Sequence, residues 1–351
     1  MKILVLTKYD KKGASSRLRT IQYFPFLQTQ GIDIDYSPLL DSYYLDTLYK
    51  EKSVSVLYVM KRYFKRIRKL FNSYKYDLLW IEKELFPWIP LPVEKWLSLM
   101  GIKYLVDYDD AIFHNYDAHR SKVIKFLFKR KIPNVMKYAQ LVTVCNGYLK
   151  GKALEFGANK IEIIPTVVDL KRYKEVLDAK NTKLHIGWIG SPATEKYLLA
   201  IEDVFRDLQK ILDFKLIIVG GRNFNMKDID YTILEWSEER EAEYIEKMDI
   251  GIMPIPSDGW GEGKCGYKMI QYMACAKPVV VTNVDINRVI INDDKNGYIA
   301  TTKEEWIEAI IKLSERSIRV TLGKEARVFV KKNYSLEVTL ENRLRSIKES
   351  I

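Results

Sequence analysis

The chain has 351 residues, 47% hydrophobic and 29% charged. That excludes wholesale disorder and gives material for about two domains of ordinary size. Its three cysteines, Cys145, Cys265 and Cys275, form no CxxC pair, which excludes a disulfide scaffold and leads us to expect a reducing, cytoplasmic setting. The net charge of +11 admits nucleic acid, an anionic membrane surface or phosphorylated ligands as partners.

Short apolar runs alternate with helical patterns from the start. Residues 2–7 read as a buried strand rather than a secretory signal, and residues 17–30 as a helix closed by Gly31. Further strands are expected at 78–82, 103–107, 141–145 and 161–165. A second series has strands at 184–189, 215–219, 250–254 and 278–282, with helices at 197–212 and 268–275. No stretch is long enough for a membrane-spanning helix. The pattern predicts an α/β chain with two doubly wound parallel sheets. We place an N-terminal domain at residues 1–170, a C-terminal domain at 171–334, and a closing helix at 335–351 that returns to the first domain.

Two segments are basic and amphipathic. Residues 57–74 place Leu57, Met60, Tyr63 or Phe64, Ile67, and Leu70 or Phe71 at helical spacing among Lys61, Arg62, Lys65, Arg66, Arg68 and Lys69; residues 120–131 repeat the theme. Either the apolar face enters the core with the cations in water, or it lies in a membrane interface with the cations against anionic headgroups. No nucleic-acid motif accompanies the charge, so nucleic acid is not expected as a partner.

The segment 258–281, DGWGEGKCGYKMIQYMACAKPVVV, follows one strand, passes through a glycine loop into a helix, and leads to the next strand. Glycines allow close backbone approach, and a helix start supplies free N–H groups and a positive dipole end, which suits a diphosphate. Lys264 and Lys268 add positive charge, and Gln271 stands about one turn into the helix.

This segment resembles the donor-binding region of glycosyltransferase family 4, the retaining enzymes of GT-B fold, written EGFGLPLLEAMACGKPVV with an E-x7-E pattern. Within it, the chain is most similar to a polysaccharide-pathway subgroup with GKxGxKxxQYM. The match places Gly266 on the phosphate-loop glycine and Gln271 on the second, ribose-binding Glu. The first, sugar-gripping Glu falls on Gly263, with Glu262 beside it. Residues 186–192, IGWIGSP, resemble the strand and turn that open the donor domain. There Gly190 is kept, Ser191 replaces an Arg, and Lys196 stands at a phosphate-contacting Lys. The resemblance implies two Rossmann-like domains facing across a cleft. The implied donor set is Gly190, Ser191, Lys196, Glu262, Gly263, Lys264, Gly266, Tyr267, Lys268 and Gln271, with no cofactor beyond the nucleotide-sugar co-substrate and no metal.

In the N-terminal half, Gly13, Arg17 and Arg19 follow the first strand, where the resembled enzymes meet the diphosphate and acceptor. Asp107, Asp109 and Asp110 crowd a strand end, where open α/β sheets place ligands; like charges so close are costly to bury unpaired. Asp109 and Asp110 are candidates for orienting the acceptor hydroxyl or assisting removal of its proton, with Lys268 the main catalytic cation, and a magnesium or manganese site is the rival reading. His114 is a candidate acceptor contact. The expected activity is retaining transfer to a saccharide or lipid-linked saccharide in cell-surface polysaccharide synthesis, on the inner face of the membrane. Alternatives are a sugar-nucleotide epimerase or hydrolase, and a non-catalytic basic surface-binding protein.

Overall fold

The computed structural model describes every residue except Glu51 and Asn223. Two compact units emerge. The first comprises Met1–Thr166, Gly263–Cys265 and Thr339–Ile351; the second comprises Val167–Glu262 and Gly266–Val338.

Each unit is built on a six-stranded parallel sheet. In the first unit the strands are β1 (Lys2–Leu6), β2 (Asp33–Tyr36), β3 (Leu78–Glu82), β4 (Tyr104–Tyr108), β5 (Leu141–Val144) and β6 (Ile161–Ile163). Their order is β2-β1-β3-β4-β5-β6, so the winding reverses between β1 and β3. In the second unit they are β7 (Leu184–Ile189), β8 (Phe214–Val219), β9 (Tyr231–Leu234), β10 (Ile250–Met253), β11 (Val279–Thr282) and β12 (Gly297–Ala300). The order is β12-β11-β10-β7-β8-β9, the dinucleotide-fold arrangement, with its reversal between β7 and β10. Crevices at the C-terminal ends of strands flanking such a reversal are where open α/β sheets bind ligands.

Central strands β3 and β4 are buried along their whole length, as expected of parallel strands covered on both faces. Three strands escaped sequence reading. Two of them, β2 and β9, are half-exposed edge strands of mixed polarity. The third, β12, is four residues long and opens on Gly297. The helix expected at 17–30 is broken into Ala14–Arg19, a 3-10 turn at Ile21–Tyr23, and Phe24–Thr29. Pro25 starts the last piece, because it has no N–H to continue the earlier one. The helix expected at 197–212 likewise divides into Glu195–Leu199 and Glu202–Leu208.

A buried carboxylate organises the first unit. Asp107, near the end of β4, accepts from Arg19 through both guanidinium arms, at 2.8 and 2.7 Å. Arg343, on the closing helix Leu336–Lys348, donates to the same carboxylate at 3.0 Å, and Thr143 of β5 adds its hydroxyl. Both arginines are essentially inaccessible to solvent. Burial by itself would raise the Asp107 pKa, but Arg19 and Arg343 outweigh it and hold the group below the usual carboxylate range. Thr339, with its hydroxyl 2.9 Å from Tyr23 Oη, and Glu349, paired with Lys160 at 2.6 Å, complete the seating of the closing helix.

Replacing Asp107 by Asn would leave two buried cations without a counter-charge. We expect a loss of about 3–5 kcal/mol, read as a lower urea midpoint with an unchanged slope. A wild-type midpoint would remove Asp107 from this role.

Candidate functional site

In the second unit, the chain leaves β10 through a short helix, Gly259–Glu262, and re-enters regular structure at Gly266. Gly266 caps helix Tyr267–Ala274 with φ +66°, a left-handed conformation that favours glycine. The first amides of that helix have no side-chain cap from Gly266. The Lys268 Nζ lies 5.1 Å from the centre of the Trp188 ring. The same indole underlies the turn after β7: a Cβ on Gly190 would fall 1.9 Å from it. Trp188 thus brings Lys268 and the Gly190–Ser191 turn together at the reversal point of the sheet. The Ser191 amide donates to Thr194 Oγ1 at 3.0 Å, closing the turn. Lys196 is exposed and stands 5.2 Å from the Tyr197 ring.

Two expected donor residues have other work. Gln271 is buried, and its amide nitrogen donates to Tyr173 Oη at 2.8 Å. Tyr173 in turn donates to Glu241 and lies 3.4 Å, oxygen to oxygen, from Tyr267. Gln271 thus supports this tyrosine pair, and the expected ribose contact is corrected: its amide faces Tyr173, inside the unit. The Glu262 carboxylate accepts from the Asp285 amide at 2.7 Å, at the start of helix Asp285–Ile290.

Gly263, Lys264 and Cys265 belong to the first unit. The Lys264 Nζ pairs with Asp110 at 3.0 Å, and the Lys264 carbonyl accepts from Asn146 Nδ2 at 2.8 Å. A Cβ on Gly263 would sit 2.4 Å from Ala111 Cβ and 2.9 Å from its backbone nitrogen. The absence of a glutamate at position 263 therefore has a steric reason, since no side chain fits there. Lys264, expected at the donor, is instead the partner of a carboxylate.

The same strand ends carry a second pair. Lys83, in the left-handed region at φ +64° just after β3, places its Nζ 2.7 Å from Asp109 and 3.3 Å from Ser15 Oγ. A lysine held at positive φ is a strained arrangement of the kind that clusters at functional sites. Burial would raise the Asp109 pKa, but Lys83 and its hydrogen bond prevail and bring it down to about 2. Burial opposes the charge on Lys264, and Asp110 outweighs it, raising that pKa. A divalent cation at Asp109 and Asp110 would have to displace both lysines. Glu82, the neighbour of Lys83, accepts from Ser16 Oγ at 2.6 Å and the Lys8 amide at 2.9 Å, tying the β1 turn to β3.

Of the expected acceptor residues, Gly13 starts helix Ala14–Arg19, where a Cβ would meet Tyr9 at 2.5 Å. Arg17 is mostly buried and donates to the Lys11 carbonyl at 3.0 Å. His114 Nδ1 lies 2.8 Å from Asp117, and its Nε2 lies 3.2 Å from Tyr148 Oη. Arg19 is a correction: its guanidinium is fully occupied by Asp107 and the Ile164 carbonyl and cannot greet a ligand. Lys83, Asn146 and Trp188 were missed. The charged run Glu82-Lys83-Glu84 directly after an apolar strand was the available signal for Lys83.

Residues 180–316 match the family model described as Glycosyl transferases group 1. Over 327 residues, covering 86% of each chain, the sequence is 24% identical to an uncharacterised glycosyltransferase of Methanocaldococcus jannaschii. Among solved structures, HepE of Anabaena in complex with UDP-glucose aligns over 100% of both chains at 14% identity and TM-score 0.74. Sucrose-phosphate synthase of Thermosynechococcus elongatus aligns over 99% of this chain and 98% of its own, at 14% and 0.73. The two parallel six-stranded sheets have the GT-B fold.

The Lys83–Asp109 pair has a signed pH dependence. A carboxylate depressed in the folded state contributes stability that is present above its unfolded pKa of about 3.9. That contribution is lost as pH falls toward the folded value of about 2. Lys83→Met should be less stable than wild type at neutral pH and lose less stability between those two limits. Identical acid-unfolding profiles would show that the pair contributes nothing.

Proposed function

We propose that the chain, whose residues 180–316 match the family model described as Glycosyl transferases group 1, transfers a sugar from a nucleotide-diphosphate donor to a saccharide or lipid-linked saccharide. The proposed outcome is retention at the anomeric carbon, with no bound metal. The observation that carries this reading is the meeting of Lys268 and the Gly190 turn on the Trp188 indole, beside a helix start capped by left-handed Gly266.

Breaking the bond between sugar and diphosphate leaves negative charge on the leaving phosphate. The amides opening helix Tyr267–Ala274 and the Lys268 ammonium stabilise that charge, which is electrostatic catalysis by groups already in place. Lys268 is preoriented by its ring contact, so little reorganisation is needed. The sugar passes through an oxocarbenium-like state, and the departing phosphate takes the acceptor's proton, so no strong protein base is required. Asp110 and Asp109, each paired with a lysine, are hydrogen-bond acceptors for the hydroxyls of the incoming saccharide. UDP-glucose, bound by HepE, is the first donor to test.

Thermal-shift titration with a panel of nucleotide-sugars tests donor binding. A donor at a hundred times its Kd should stabilise the chain by about 2.7 kcal/mol, and no shift with any diphosphate sugar would refute a donor site. Lys268→Ala should keep the fold and lower kcat by roughly a hundredfold or more with the donor that binds. Asp110→Asn should lower transfer while leaving the donor-induced shift intact. Donor consumption at an unchanged rate without acceptor would point to a hydrolase or epimerase instead.

A further inference from the structure

Helix Val56–Leu70 packs Tyr63 and Leu70 on the core yet leaves most of its other apolar side chains in solvent. Its inward face carries Arg66, 1% exposed, which donates to the Thr7 carbonyl at 2.6 Å and the Ser37 carbonyl at 2.9 Å. With no carboxylate bonded to it among the described residues and burial dominating, the Arg66 pKa falls to about 9. The outward face carries Leu57, Met60, Phe64, Ile67 and Phe71, exposed by 61, 62, 61, 40 and 75%. Their spacing of three and four residues makes one continuous apolar stripe along the solvent side. Beside it, Lys61, Lys65 and Arg68 have no ion-pair partner among the described residues, whereas Arg62 and Lys69 are engaged by Asp41 and Asp35.

A second helix, Lys122–Phe128, repeats the arrangement. Val123, Phe126 and Leu127 are exposed by 65, 76 and 50%, between Lys122, Lys125 and Lys129. The two helices are joined within the first unit. Tyr63 Oη donates to the Pro87 carbonyl at 2.8 Å, and the ring of the next residue, half-exposed Trp88, meets Phe128 edge-on at 6.1 Å.

We propose that this face of the first unit docks on an anionic lipid bilayer. The apolar stripe and Trp88 enter the boundary between headgroups and acyl chains, and the interleaved lysines meet lipid phosphates. Charge complementarity selects this occupant. A second copy of the chain would set two cationic faces against each other. A protein partner's interface core is depleted in lysine, whereas here lysine recurs at every turn beside the apolar stripe. A nucleic acid would answer the cations and leave Leu57, Met60, Phe64 and Ile67 in water. Among the described residues, no helix is long and apolar enough to cross a membrane, so the mode is lying on the surface.

The test is flotation of the full chain with vesicles of phosphatidylcholine alone or mixed with phosphatidylglycerol. Wild type should float with the mixed vesicles, remain behind with phosphatidylcholine alone, and detach as salt rises. A triple variant, Lys61→Glu, Lys65→Glu, Arg68→Glu, should lower partitioning on the order of a hundredfold. The pair Phe64→Ser, Phe71→Ser should also abolish flotation, with thermal melting and the donor-induced shift as for wild type. Failure of wild type to float with anionic vesicles overturns the proposal. So does unchanged flotation of both variants, or a dimer in light scattering that the Phe64→Ser, Phe71→Ser pair dissolves.

Discussion

The Asp107 carboxylate is the interaction on which the first unit depends. It lies near the end of a central strand and holds Arg19, from the helix after β1, and Arg343, from the closing helix. Arg343 also stacks over Trp80 at 4.9 Å and Tyr23 at 5.1 Å, so one anion fixes a cation that in turn covers two large buried rings. Removing any member would strand a charge where water cannot reach it, which makes the cluster cooperative. The rest of the strand-end geometry follows from it. Arg19 sets the helix that carries Ser15 and Ser16, and Asp109 and Asp110 emerge directly after the residue that anchors β4.

The two sites differ in how they handle charge. At the β7–β10 reversal, a lysine rests on an indole beside a helix start, and the proposed transfer assigns the leaving phosphate to this place. At the ends of β3 and β4, each carboxylate already has a lysine, so the pairs are near neutrality and keep their acceptor oxygens in fixed directions. The first suits a phosphate and the second suits hydroxyl groups, which is the division of labour in the proposed transfer.

Central strands such as β1, β3, β4 and β10 were legible because burial on both faces demands unbroken apolar runs. Edge strands β2 and β9 were not, because an edge needs no such run, and strand order was invisible because pairing is nonlocal. The helix start after the glycine loop was legible from Gly266 and the apolar pattern beyond it. That Gly263–Cys265 belong with the first unit was not, because their partners Asp110, Ala111 and Asn146 lie more than a hundred residues earlier. Arg19 and Arg66 show the same limit. Arg19 was expected at the acceptor and Arg66 among cations facing water or headgroups, and each is buried by groups distant in sequence.

The division of the first unit into three stretches of chain bears on how the molecule is made. Synthesis delivers residues 1–166 first, but Gly263–Cys265 and Thr339–Ile351 arrive only after most of the second unit has left the ribosome. Until then Trp80 and Tyr23 lack the guanidinium that covers them. The nascent N-terminal unit must therefore persist in an unfinished state while its neighbour folds as a nearly continuous segment. Of the two units, the one synthesised earlier is the later to be completed.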